Sequence, residues 1–111
     1  MTNRTSPPSP KTEFPKRIYL YSNPNTAQRM AYRYLGRTAK LYPSTKKDKK
    51  YMIFDPVKQV YVHFGQYPYE DYTKHRNKSR RRNYLTRSGN MLGDWKRNRY
   101  SANNLARKIL W

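Results

Sequence analysis

The chain has 111 residues with 25 Lys plus Arg against 6 Asp plus Glu, a formal charge of +19. Its length allows one domain at most. With no cysteine there is no disulfide, thiolate nucleophile or Cys-type metal site. No apolar run approaches the ~20 residues needed to span a bilayer, and the N-terminus has no apolar core of a secretory signal. A compact domain so basic repels itself unless an anion is near. Counterion release makes nucleic acid the usual sink for such charge, whatever its sequence. Anionic membrane fits less well, because no basic helix carries a bulky apolar face. An acidic protein surface is the remaining alternative.

Met1 to Pro24 is rich in Pro, Ser, Thr and Asn, including Ser6-Pro7-Pro8-Ser9-Pro10. That composition buries too little apolar area to offset ordering entropy, so an extended or disordered arm is expected over 1–24. Within it, Arg17 to Tyr21 reads as a segment able to add as an edge strand to this chain or a neighbour. A small basic α+β domain is expected over 25–111. A folded unit of about 85 residues has a core of only modest stability.

A first helix starts at Asn25 or Thr26, with Ala27, Met30, Ala31 and Tyr34 as its apolar stripe and Gly36 as its left-handed stop. Arg29 and Arg33 sit one turn apart on its outer side and Arg37 just past its end, read either as cations favoured by the helix dipole or as a phosphate-facing ridge. Ala39 to Tyr42 is the first predicted strand, stopped by Pro43. Lys46, Lys47, Lys49 and Lys50 form a basic turn, a candidate phosphate patch. Tyr51 to Phe54 and Val60 to Phe64 are rich in β-branched and aromatic residues, and Asp55-Pro56 between them favours a turn. The predicted fold is therefore α+β: a small antiparallel sheet of about three strands packed with two to three short helices. In the last strand Val60, Val62 and Phe64 share the core face, and Tyr61 and His63 the wetter one. Gly65 ends it.

Glu70 to His75 reads as a short helical turn. Ser79 is the expected N-cap of a second helix, Arg80 to Arg87, closed by Gly89. The cations Lys74, Arg76, Lys78, Arg80, Arg81, Arg82 and Arg87 follow one another with no acid between. Such crowding is destabilising in isolation and is relieved by a multivalent anion; arginine's planar fork suits phosphate. This run is the principal candidate nucleic-acid contact. Trp95 and Tyr100 stand beside cations and are candidate stacking residues, although such aromatics more often cover a small core. Ser101 N-caps a last helix with Ala102, Leu105, Ala106 and Ile109 as its stripe. Trp111 either docks on the body or offers a partner contact.

For chemistry the candidates are His63, Glu70, Asp71 and His75, a set that in principle binds metal or moves protons. No HExxH, GxSxG or phosphate-loop spacing accompanies them, so no catalytic residue, metal or cofactor is assigned and a metal-dependent nuclease is a remote alternative. Glu70 or Asp71 is expected instead to pair with Lys74 or with the basic run.

Three stretches carry a resemblance: KLYPSTKKDKKYMIFDP (40–56), VHFGQYPYEDYTKHRNKSRRRNYL (62–85) and GDWKRNRYSANNLARKILW (93–111). They resemble a family of short basic proteins of nucleocytoplasmic large DNA (giant) viruses. The likeness covers roughly Ala27 to Trp111 and omits the arm. That family has no assigned activity, so the resemblance transfers no catalytic residue. It implies a viral setting, in the virion and in the cytoplasm or nucleus of the infected cell. Two functions follow as expectations. One is a non-enzymatic protein binding DNA through its phosphates without reading sequence, for packaging or condensation. The other is a minor capsid or cement protein that bridges capsomers through its arm and exposed aromatics.

Overall fold

The computed structural model describes residues 11–111, and the part of the expected arm over 1–10 lies outside them. The fold is α+β, as the sequence predicts. Three antiparallel strands, β1 (Tyr42–Pro43), β2 (Lys49–Asp55) and β3 (Val60–Gln66), stand in the order β1-β2-β3. Among the described residues four α-helices accompany them: α1 (Pro24–Leu35), α2 (Tyr72–His75), α3 (Lys78–Gly89) and α4 (Ala102–Leu105). α4 runs on into a π-helical segment, Ala106–Leu110.

The hairpin forms where β propensity and turn chemistry agree. Tyr51 pairs with Phe64 and Ile53 with Val62. The Asp55 carboxylate accepts the N–H groups of Val57 (2.9 Å) and Lys58 (3.3 Å), an Asx turn that reverses the chain. Phe64 is core and Val62 packs against it, but Val60 is exposed, because the core ends before the hairpin tip. Gly65 does not end β3; the strand continues to Gln66 through it, with φ at +82°. A Cβ there would lie 3.0 Å from Leu110 Cδ1, so both conformation and space call for glycine. β1 is shorter than expected: only Tyr42 and Pro43 pair, with Met52 and Tyr51. Leu41, read as strand, is buried core beside it.

The core unites this sheet with α1 and the C-terminal helix through Ala27, Ala31, Leu41, Tyr51, Ile53, Phe64, Leu105, Ile109 and Leu110. α1 starts one residue earlier than predicted, since Asn23 caps it by accepting from Asn25 N (3.1 Å) and Thr26 N (3.3 Å), and proline fits the first turn. Ser101 caps α4 as expected, accepting from Asn104 N at 3.2 Å.

The expected boundary at Pro24 moves. Lys16–Leu20 is a 3-10 helix, not an edge strand, and Ile18 within it is 0% exposed. Phe14 meets Tyr51 edge-on with centroids 5.6 Å apart, and the Arg17 guanidinium lies 4.0 Å over the Tyr67 ring. Phe14, Ile18 and Tyr21 suffice to anchor this stretch on the core. Ile18→Ala should therefore cost about 2–5 kcal/mol in a urea unfolding experiment, as for other buried large-to-small changes. A loss below about 0.5 kcal/mol would return residues 14–20 to the arm.

Alkaline pH should also unfold the protein. Burial raises the phenol pKa of Tyr51, Tyr67, Tyr84 and Tyr34 above the usual 10. Each folded-state value exceeds its unfolded one, so this contribution to stability is fully present below about pH 10 and is lost as pH rises through the folded values. Burial lowers Lys50, which works in the opposite sense, but it is one group against four. Melting temperature should fall as pH rises above about 10, and Tyr51→Phe should lessen the fall.

Candidate nucleic-acid interface

The basic run folds as two short helical pieces. Asp71 caps α2 by accepting from Thr73 N (3.1 Å). α2 ends at Arg76, which holds a left-handed conformation (φ +56°). Asn77, not Ser79, caps α3, accepting from Arg80 N at 3.0 Å, and the helix runs through Gly89. Of α3 only Ser88 is buried, with Tyr84 and Leu85 half-buried; Lys78, Arg80, Arg81, Arg82 and Arg87 are all exposed.

A helix with so little apolar surface needs other anchors, and the C-terminal helix supplies them. Trp111 stacks flat on Tyr84, centroids 4.3 Å apart at 9°. Arg107 donates to the Leu85 carbonyl and to Ser88 Oγ, both at 2.6 Å. Asn103 donates to the Ser88 carbonyl at 2.9 Å. Arg81 in turn donates through Nε to the Trp111 carbonyl. Arg107 sits at the carbonyl end of α3, where a cation is favoured. The basic face is thus presented by a docked helix.

The acids do little to neutralise it. Among the described residues three ion pairs form. Arg80 Nη1 meets Glu70 at 2.9 Å in a solvent-exposed pair, and Arg97 meets Asp94 at 3.4 Å, also exposed; such pairs add little stability. The third joins Lys50 Nζ to Asp71 Oδ2 at 3.2 Å, with the side chains 2% and 1% exposed. Lys50 also donates to the Tyr69 carbonyl. Burial pulls its pKa down, against the pull of the Asp71 charge upward.

Lys50 must therefore leave the expected phosphate-contacting set, because its ammonium points into the protein. Lys46 and Lys47 remain exposed in the loop before β2, and Lys49 is half-buried with Nζ donating to Gln66 Oε1 at 2.8 Å. The aromatics expected to stack are partly occupied. Trp111 packs on Tyr84 and His75. Trp95 donates to the Met91 carbonyl at 2.9 Å, with Arg107 5.5 Å over its ring. Tyr100 is half-buried against the core. All three serve packing in this structure.

His63, Glu70, Asp71 and His75 each have a separate partner. His63 Nδ1 lies 2.6 Å from Ser44 Oγ. His75 Nδ1 accepts from Asn77 N at 2.8 Å, while its ring meets Trp111 at 5.1 Å. Burial lowers both imidazole pKa values, helped by Lys46 and Lys49 at His63 and by Arg80 at His75. Among the described residues no group of three or more His, Asp or Glu stands close enough to hold a metal ion. The predicted pairing of Glu70 with the basic run occurs at Arg80; Asp71 instead takes Lys50, a partner twenty-one residues away that local spacing does not reveal.

A buried polar relay completes the site. Thr73 gives its hydroxyl proton to Asp71 Oδ1. A carboxylate only accepts, so Ser22 Oγ, 3.1 Å from Thr73 Oγ1, gives its proton to Thr73, and Tyr51 OH, 2.6 Å from Ser22, gives its own to Ser22. Thr73 also accepts from Asn23 N at 2.8 Å. The start of α1, the middle of β2 and the start of the basic segment are thereby tied at one point.

No helix among the described residues is long and apolar enough to cross a membrane. No curated protein and no solved structure matches the chain. Residues 39–88, from the residues before β1 through nearly all of α3, match a family model described as a family of unknown function (DUF5754). The Lys50–Asp71 pair, the hairpin and the basic helix all fall inside that stretch, and over it the chain is similar to this family.

Proposed function

We propose that this protein is a non-enzymatic nucleic-acid-binding protein that holds backbone phosphates on the exposed face of α2 and α3. One observation carries the reading: Lys74, Arg76, Lys78, Arg82 and Arg87 are exposed on a docked helical segment and form no ion pair among the described residues. Lys46 and Lys47 extend the positive surface from the loop before β2. Such contacts neutralise phosphate and carry no base information, so DNA is bound with little regard to sequence. With the resemblance to giant-virus proteins, the role that fits is genome packaging or condensation in a virion.

The test is a salt titration of binding to a mixed-sequence DNA duplex by fluorescence anisotropy. About six phosphate contacts would cost about 10³-fold in affinity between about 50 and 200 mM salt. Binding confined to the lowest salt, with a shallow slope, would sink the proposal.

A second reading, the minor capsid or cement protein, draws support from exposed apolar side chains. Leu92 is 95% exposed beside Met91, and Tyr19 and Leu20 project from the first 3-10 helix. A Leu20→Ser, Leu92→Ser variant would no longer hold to capsomers through them, read as failure to enter particles. The strand-addition version is weakened, because Lys16–Leu20 is a 3-10 helix pinned to the body by the buried Ile18.

A further inference from the structure

Between β3, α3 and α4 opens a cleft of about 720 Å³. Phe64, Gly65 and Leu110 line it, and the stacked Tyr84–Trp111 pair borders it. Lys49, Arg80 and Arg87 also line it, with Glu70, whose carboxylate is held by Arg80 at 2.9 Å. Tyr69 is 67% exposed at this cleft, while its carbonyl is fixed from beneath by Lys50. The volume is that of a small-ligand site. An apolar and aromatic lining favours a flat, hydrophobic group, and cations beside it favour an attached anion. A nucleotide combines the two. In a duplex the base is paired and stacked and cannot enter; in a single strand it is free to do so at little cost.

We infer that this cleft takes one unpaired nucleotide of a single-stranded nucleic acid, its base against Tyr69 and the apolar lining and its phosphates at Lys49 and Arg87. The inference rests on the phosphate-binding reading of the preceding subsection and adds a preference to it: single strands over duplexes. Asn83, exposed on α3 and lining the cleft, offers a polar side chain to a base edge.

The experiment compares the full chain on labelled oligothymidylate and on a duplex of equal length at physiological salt. The single strand should bind about tenfold tighter, the scale of one stacked base. Tyr69→Ala should remove most of that difference and leave duplex binding within about twofold. Asn83→Trp, which fills the cleft from an exposed helix position, should do the same with an unchanged melting temperature. Equal affinity for strand and duplex with a steep salt slope would overturn the cleft assignment and leave phosphate binding standing. Binding of neither, even at low salt, would sink both. Tighter binding of a polyglutamate peptide than of the strand, abolished in Tyr69→Ala, would overturn the nucleotide in favour of an acidic peptide.

Discussion

Replacing Lys74, Lys78 and Arg82 together by alanine is expected to flatten the salt dependence of DNA binding, lowering the log–log slope by about 0.9 for each phosphate no longer neutralised, up to about 2.7. These three are chosen because they are exposed and their side chains form no ion pair among the described residues. Arg80 and Arg81 are poorer probes despite their place in the run. Arg80 is engaged with Glu70, and Arg81 holds the Trp111 carbonyl that keeps α3 docked. Their removal would mix binding with stability. Net charge alone must also be separated from position, so the control removes the same charge elsewhere: Lys11, Lys16 and Lys58 to alanine. If the patch is the interface, the first variant loses slope and the control keeps nearly all of it. If both lose equally, the charge acts as generic attraction and α3 does not touch the DNA. The melting temperature of the first variant should rise slightly, since like charges on adjacent turns are relieved.

Secondary structure is legible where local chemistry decides it. The Asp55 turn, the alternation through Phe64, the stripe of α1 and the Ser101 cap are all set by neighbours within a few residues. The basic run is legible as a run, because composition needs no geometry. What escapes is decided by residues far along the chain. Lys50 reads as one more cation in a lysine-rich turn, and only the return of Asp71 beneath the sheet makes it a core residue. Ile18 reads as a sticky spot in an arm, and only the floor offered by Tyr51 and its neighbours buries it. Arg107 lies in the last turns of its own helix, yet it serves the end of another, α3. The signal for the Lys50 pair is scarcity. With six acids in the chain, one next to an aromatic, turn-rich stretch is costly to bury and so is a candidate for a specific internal partner.

That partner makes Asp71 the position where a small change should do most harm. Asp71→Asn keeps the shape and still accepts from Thr73, but it turns an amide toward the buried Lys50 ammonium and leaves that charge uncompensated. Breaking a buried pair from one side costs about 3–5 kcal/mol, a large share of what a domain this small possesses. The hydroxyl relay from Tyr51 through Ser22 and Thr73 also loses its ionised terminus, so α1, β2 and the basic segment loosen together. Lys50→Met should cost a similar amount, since it strands the carboxylate instead. The double variant Lys50→Met, Asp71→Leu removes both charges and should recover much of either single loss, because an apolar pair of similar volume avoids the desolvation penalty. Urea unfolding midpoints at a shared slope measure all three. A loss under about 1 kcal/mol in both single variants would show the pair to be solvated and Lys50 to be available at the surface. DNA binding by folded Lys50→Met gives the independent check: its salt slope should match the unaltered protein, as befits a cation that faces inward and touches no phosphate.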